Sequence, residues 1–446
     1  MAASRKLLRS KLSECVAACF ARHVPPGARV VLGLSGGLDS VSLLDVLVAL
    51  RDRHPFSLHA IHVHHGLSPN ADAWAAFCAQ LCADHAVELA VHRVAIDRAD
   101  PAGTEGAARA ARHRVFAALD ADFIVTAHQQ DDQAETLLLQ LVRGAGPKGL
   151  AAMGELQRRR GWRAALLRPL LAVAREDVRR HALSRALQWV DDESNEDTRY
   201  RRNAVRHDVM PVLAAHFPAV RATLARAAAL QADAAGLLDE LAGIDAATAI
   251  AGDRLDCAAL AALSTPRARN LLRHFVEGHG LPMPSARQLD EALRQLLGAR
   301  DDARVQVGLG GQALWRYRGG AYLVPPASPA GPAVVWTGEA VVAVPGATAR
   351  VRMEAVTGAG IRRALLEQGA ATLGTRNGGE RLRLHAGGPH RSLKKLLQER
   401  EVPPWLRDRL PLLSVDGRLV WAAGIGVDAD ARAGVGEAGV LPKLEA

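Results

Sequence analysis

The chain is short of several things at once. Aromatic residues make up 4% of its 446 positions, there are five cysteines, and only six of the 56 basic residues are lysines. Cys15, Cys19, Cys78, Cys82 and Cys257 offer neither a disulfide framework nor a Cys-x-x-Cys pair, which argues against a stapled secreted domain and against a dithiol redox or sulfur-carrying centre. Cys15/Cys19 and Cys78/Cys82 are each four apart in expected helices and read as small buried hydrophobes; Cys78, Cys82 and His85 lack a fourth ligand and a knuckle turn for zinc. No apolar run reaches membrane-spanning length, and no signal core follows the basic N-terminus, so a cytoplasmic protein without membrane contact is expected. No Gly-Lys-Ser/Thr occurs, so a Walker A loop, with the ATPase or kinase chemistry built on it, is disfavoured. No internal repeat is present.

What is there begins with length: 446 residues are too many for one core and imply two or three domains. The net charge of +9 is a weak pointer to a polyanionic partner, because the arginine bias of the chain inflates it.

The stretch Val30 to Ser40, Val-Val-Leu-Gly-Leu-Ser-Gly-Gly-Leu-Asp-Ser, is an apolar strand running into a glycine turn and then a helix. Gly36 and Gly37 let backbone amides approach a phosphate, and Ser35 and Ser40 add hydroxyls. Asp39 would repel that phosphate unless a divalent cation sits between them. Strand and helix then alternate, with strands expected at 57–62, 88–94 and 123–127 and helices at 70–85, 104–119 and 134–142. The fold class is therefore α/β, an open parallel sheet, with 35–40, 62–66 and 128–135 meeting beyond the strands' carboxyl ends.

His128, Asp131, Asp132 and Glu135 emerge together after the fourth strand, more polar groups than helix capping requires. Asp132 and Glu135 share a helix face and could hold magnesium or a cationic substrate. Glu105, Arg109 and Arg112 follow at helical spacing, either as a surface ion pair or with one arginine turned inward. His62, His64 and His65 border the second strand's end, better placed to flank adenosine than to ligate a metal.

Ser35-Gly36-Gly37-Leu38-Asp39-Ser40 resembles the Ser-Gly-Gly-x-Asp-Ser motif of the N-type ATP pyrophosphatase (PP-loop) enzymes. Together with His62 to Leu67, Glu105/Arg109/Arg112, His128 to Thr136, Arg168-Pro169-Leu170, Trp189 with Asp191 to Asn195, and Arg202 to Arg206, the series is similar to the bacterial tRNA(Ile)-lysidine synthases. That resemblance implies adenylation of the C2 oxygen of the wobble cytidine in an isoleucine tRNA with a CAU anticodon, using ATP and Mg2+, and displacement of AMP by free L-lysine. It implies that Ser35, Gly36, Gly37, Leu38, Asp39 and Ser40 hold pyrophosphate with magnesium at Asp39, and that His62 borders the nucleotide. Asp132 and Glu135 with Arg109 or Arg112 would recognise lysine, and His128 and Asp131 would border the α-phosphate. The family often has tyrosine at the place of His113 and histidine at that of Gln129, so no catalytic role is carried to position 129.

The expected domains are 1–215, catalytic; 216–326, mainly helical and ending in a β hairpin; and 327–446, a mixed β/α domain for tRNA binding with one helix, Leu393 to Glu399. Residues 427–446 read as a polar tail. Nine basic residues against four acidic ones lie between Arg376 and Arg409, and Arg158-Arg159-Arg160-Gly161-Trp162-Arg163 is a second basic patch, expected against anticodon-stem phosphates. A homodimer is admitted but not specified by the sequence. A PP-loop tRNA thiolase, or an RNA-binding protein on a degenerate nucleotide fold, are the alternatives; the first needs a sulfur source that the cysteines do not supply.

Overall fold

Ser10 opens the first helix, α1 (Lys11–His23), through a reciprocal capping box with Ser13. The computed structural model describes residues 10–445 apart from 98, 102, 300–304, 327–330 and 348. The sequence also predicts a helix from Leu7 to His23 and a proline-rich linker from Pro325 to Pro332; the start of the first, part of the second and part of the expected hairpin region lie outside the described residues. Two compact units result, Met1–Leu241 and Ala242–Ala446.

The first unit alternates as its pattern predicts: β1 (Arg29–Gly33), α2 (Leu38–Leu50), β2 (Ser57–His64), α3 (Ala71–Asp84), β3 (Glu88–Arg93), α4 (Gly103–Ala117), β4 (Phe123–Val125), α5 (Gln130–Leu141), α6 (Pro147–Leu150), β5 (Leu156–Gln157), β6 (Ala165–Leu167) and α7 (Arg175–Ser184). The sheet order is β3-β2-β1-β4-β6-β5. All pairs are parallel except β5 with β6. Because the chain leaves β1 toward β2 on one side and β4 on the other, a crevice opens beyond their carboxyl ends. Val30 and Leu32 of β1, Leu43 and Leu47 of α2 and Phe20 of α1 form the core beneath it, each sealed from solvent.

One polar group interrupts that core. Asp45 of α2 is buried, accepts hydrogen bonds from His181 Nε2 (3.1 Å) and from Arg185 Nε and Nη2 (3.2 and 3.1 Å), and so ties the helix behind the glycine turn to α7. Burial alone would raise its pKa, but the bonds from His181 and Arg185 outweigh it and pull the carboxyl down to about 2.

After α7 come α8 (Arg201–Ala204), a π-helical turn (Val205–Val209), α9 (Met210–His216) and α10 (Val220–Ala249). From its glycines the sequence predicts a break in the helical region near Gly243, and none occurs there: α10 runs through Gly236 and Gly243. A glycine costs a helix about 1 kcal/mol relative to alanine, and the surrounding alanines and leucines absorb it. In the second unit, helices Thr265–Gly278 and Ala286–Gly298 pack on a five-stranded sheet spanning 250–324, around Leu271, Phe275, Leu289 and Leu314. Beyond it, residues 334–445 build antiparallel sheets around Leu373, Leu413 and Val440, with the expected helix Leu393–Glu399 and two short ones that sequence reading missed, Arg363–Gln368 and Pro404–Arg407. The expected polar tail is instead a strand, Ala438–Glu445, paired along the whole of Arg350–Thr357. Its partner lies some eighty residues earlier, beyond the reach of any local pattern. Among the described residues no helix is long and apolar enough to cross a membrane.

Asp45→Ala removes the acceptor of the buried His181 Nε2 and of the half-buried Arg185 and is expected to cost the first unit roughly 3–5 kcal/mol in urea unfolding. Because the folded carboxyl is depressed from its ordinary 3.8, the wild-type contribution is whole above that value and fades as pH falls toward 2. A loss below 1 kcal/mol at pH 7 would show that the contact is not structural.

Candidate functional site

Gly37 is the N-cap of α2, and Gly36 before it adopts φ +88°, the left-handed region that glycine tolerates. A Cβ there would meet Val190 Cγ2 at 3.0 Å and Cys78 Sγ at 3.1 Å, so the turn is held between α3 and the segment after α7. The Val190 amide donates to the Gly36 carbonyl (3.0 Å), the Ser40 hydroxyl donates to the Gly37 carbonyl (3.0 Å), and the Ser35 and Ser40 hydroxyls lie 3.1 Å apart. Asp39 projects from the first turn of α2; its Oδ1 is buried with no hydrogen-bond partner. Burial, with the Asp132 and Asp131 charges adding to it, pushes this carboxyl up to about 7. A divalent cation would reverse that, and the orphaned oxygen beside a phosphate-shaped turn fits one.

The crevice is a cavity of about 710 Å³ whose wall takes in the glycine turn, the ends of β2 and β4, α4, and the strap Val190–Asn195. Glu193 closes it on one side by accepting from Ser68 Oγ (2.5 Å). The three histidines at the end of β2, His62, His64 and His65, diverge for plain reasons of pairing. His62 is buried and its Nδ1–H donates to the Leu34 carbonyl (2.9 Å); His64 meets Asp72 (3.2 Å); His65 Nδ1 is buried without a partner. They form no metal cluster among the described residues. Burial lowers the pKa of His62 and, with Arg112 nearby, takes His65 down to about 4, so both are neutral.

The helix α5 places its polar residues differently from one another. Gln129 is its N-cap, accepting from the Asp131 amide (2.6 Å) while its own amide donates to Asp132 Oδ2 (3.0 Å), which gives position 129 a structural role. Asp132 and His128 line the crevice; Glu135, 2% exposed, lies behind and does not line it. Asp131 turns away, pairing with Arg221 (2.7 Å), and is not brought to the crevice. Arg112 lines the cavity, and no hydrogen bond or ion pair engages it among the described residues; Arg109 is exposed on α4 outside it. Burial lowers the pKa of His128 to about 3, leaving a neutral imidazole with Thr126 Oγ1 3.0 Å from its Nδ1.

What sequence reading missed is who holds the carboxylates. Arg202 donates to Glu135 Oε2 (2.9 Å) and Asp132 Oδ1 (2.9 Å), while Arg206 donates through Nε and Nη2 to Glu135 (2.7 and 3.0 Å). Both arginines line the crevice. Burial would raise the Asp132 pKa, but Arg202, His128 and the Gln129 amide together keep it below its ordinary value. The signal was available: Arg202 and Arg206 are four apart, at i, i+4 spacing. Asp191 was named only within a motif, yet its exposed carboxylate also lines the crevice, with no partner among the described residues.

Residues 8–213 match the PP-loop domain family, 255–322 the TilS substrate binding domain and 371–444 the TilS substrate C-terminal domain. A tRNA(Ile)-lysidine synthase of Azoarcus sp. is 44% identical over 424 residues, 95% of this chain and 93% of that protein. The one of Nitrosomonas europaea is 38% identical over 99% of this chain and 97% of its own. The one of Ralstonia nicotianae is 44% identical over 95% of each. Among solved structures, the U34-tRNA thiolase NcsA from Methanococcus maripaludis aligns with 49% of this chain and 77% of its own, at 18% identity and a TM-score of 0.42.

If the carboxylates and arginines act as one unit, removing either side should already cost most of what removing both does. Glu135→Gln and Arg206→Ala are therefore expected to be non-additive in urea unfolding, with a coupling of roughly 1–3 kcal/mol. Strict additivity would mean that the pairs contribute independently.

Proposed function

The chain belongs to the tRNA(Ile)-lysidine synthase family, and from that premise we propose that it ligates lysine, with ATP, to C2 of the wobble cytidine of an isoleucine tRNA bearing a CAU anticodon. The observation that carries the reading is the glycine turn of Ser35–Ser40 facing a crevice roomy enough for a nucleotide and an inserted base, with an unpaired carboxylate, Asp39, at its edge.

C2 of cytidine bears a poor leaving oxygen. The amides and hydroxyls of 35–40 hold the β- and γ-phosphates as the departing pyrophosphate, so that the C2 oxygen attacks the α-phosphate and forms an adenylate. Asp39 would hold Mg2+, which offsets charge on the phosphates. Arg202 and Arg206, fixed in direction by Asp132 and Glu135, line the same crevice as oriented donors for charge that develops on phosphate oxygens. In the second step the ε-amine of lysine attacks C2, the C2–O bond breaks, AMP leaves with the oxygen and the amine loses a proton. Arg112 meets the lysine carboxylate. His128, at a pKa of about 3, is too weakly basic to take the proton and serves as a hydrogen-bonding wall beside the reacting groups.

A sulfur-transferring reading finds no support in the thiols. Burial pushes Cys78 and Cys19 up to about 12 and Cys82 to about 11, so none is a thiolate at neutral pH. The basic surface of the second unit supplies phosphate contacts, with Lys394 and Lys395 exposed on their helix, while Arg391 is already paired with Glu399.

Mass analysis of the anticodon nucleoside after incubation with ATP, Mg2+, lysine and the tRNA tests the reading: cytidine gaining lysine with loss of water supports it, and unmodified or thiolated cytidine refutes it. Asp39→Asn should slow pyrophosphate release at least a hundredfold and blunt its magnesium dependence; an unchanged metal profile would remove Asp39 from that role. Lys394→Ala with Lys395→Ala should weaken tRNA binding and lower its salt slope by about 0.9 for each duplex phosphate no longer neutralised. Single-turnover adenylation at saturating tRNA should be unaffected, and a slow chemical step with normal affinity would contradict that division of labour.

A further inference from the structure

Behind the basic loop that follows β5, Arg159 and Arg168 form no ion pair with an acid among the described residues. Arg168, 2% exposed, donates Nη1 to the Gly154 carbonyl (2.8 Å) and Nη2 to Gln157 Oε1 (3.0 Å). Arg159 reaches the same Gln157 oxygen (3.4 Å), places Nη1 3.1 Å from His113 Nδ1, and lies over the Trp162 ring, 5.0 Å from its centre. The Nε of each arginine is buried without a hydrogen-bond partner. Trp162 is fixed in turn, edge-on to His113 and Phe116. Arg202 and Arg206, by contrast, meet carboxylates; here the shared acceptor is one neutral amide.

Arg109 of α4 stands close enough to lower the pKa of Arg112, and both lower that of Arg168. Burial first, then these neighbours, bring Arg112 and Arg168 down to about 10. Glu105 is the one opposing charge that acts on Arg109 and Arg112, and it does not reach Arg168. Like charges gathered in low dielectric without a counter-charge are costly, and the cost falls when an anion arrives.

The anion can come from two sources, a phosphodiester or the carboxylate of the amino acid. Arg112 lines the crevice; Arg159 and Arg168 do not. Of these three arginines, a small molecule confined to the crevice can meet Arg112 and not Arg159 or Arg168. A polynucleotide that sends one base inside keeps its backbone outside, on the side where Arg158 and Arg160 are exposed. We infer that Arg159, stacked on Trp162, tied to His113 and backed by Arg168, is a binding site for a phosphodiester of the substrate RNA adjoining the nucleotide that enters the crevice. Trp162 and His113 are positioning residues in this arrangement, since they hold a long side chain in one orientation before the RNA arrives and so lower the ordering cost of binding.

The inference rests on the reading of the substrate as tRNA. Its test is a cycle between protein and RNA: full-length isoleucine tRNA carrying neutral methylphosphonate linkages on either side of the wobble nucleotide, with wild type, Arg159→Ala and Arg159→Lys. Wild type should lose roughly tenfold in affinity at one of the two linkages. Arg159→Ala should lose a similar factor on unmodified tRNA and nothing further on the neutral linkage, and its salt slope should drop by about 0.7, the single-strand value. Arg159→Lys should recover part of the loss, and melting temperatures of the variants report whether the loop remains folded. Independent losses from the two changes overturn the inference, as does an Arg159→Ala variant whose RNA affinity is normal, in which case a raised KM for lysine would assign the nest to the carboxylate. Absence of lysidine formation by wild type with intact RNA binding would sink the parent reading alone, because the binding cycle remains measurable.

Discussion

Everything that converges on the crevice depends on one buried electrostatic contact, the pair of carboxylates on α5 gripped by Arg202 and Arg206. It is the joint between a part of the chain that belongs to the sheet and a part that does not. α5 follows β4 directly, whereas Arg202 and Arg206 sit on a short helix and a π turn that follow the mostly irregular segment after α7. Glu135 is nearly sealed from solvent, so either partner left alone would be an uncompensated buried charge, and each therefore specifies the other's position. With that joint closed, Asn203 can donate to the carbonyls of Ser194 and Asp197 (2.8 and 3.0 Å), and the strap that carries Val190 is fixed over Gly36.

The crevice that results is divided in charge. Asp39 Oδ1 and the Asp191 carboxylate are unpaired among the described residues, whereas Arg112 lines the cavity outside any ion pair there, and Arg159 and Arg168 carry the same sign behind it. Such a division suits a reaction whose substrates are a metal-bound triphosphate, a polyanion and a zwitterionic amino acid, since each finds opposite charge in a different place. The carboxylate and guanidinium groups in the middle neutralise one another, so their contribution is direction and rigidity more than net charge. Direction is what a transition state with charge developing on phosphate oxygens requires.

Most of the first unit's architecture was legible in the order of residues, because a parallel sheet writes itself as apolar runs alternating with helical periods and a glycine turn marks the first crossover. Legibility failed wherever a partner was distant in sequence. Glu135 and Asp132 read as groups facing a substrate, since nothing nearby in sequence announces that arginines some seventy residues on will take them. Asp131 read as a neighbour of the α-phosphate, yet α5 begins at Gln130, four residues before the expected start, and the side chain turns to Arg221. The strand Ala438–Glu445 was invisible for the same reason, its register being supplied by Arg350–Thr357. In α10 the error was of the opposite kind, a local signal overread: Gly243 suggested a break that the surrounding alanine and leucine propensity overrides.

In the proposed mechanism the crevice activates the cytidine oxygen before the amine arrives, and the fate of that oxygen is the most direct test. With the wobble cytidine labelled by ¹⁸O at C2, reaction with unlabelled ATP and lysine should place the label in AMP, none in pyrophosphate and none in water. Label released to water, or retained in the modified nucleoside, would contradict adenylation at C2 and with it the catalytic role of the glycine turn and the arginines above it.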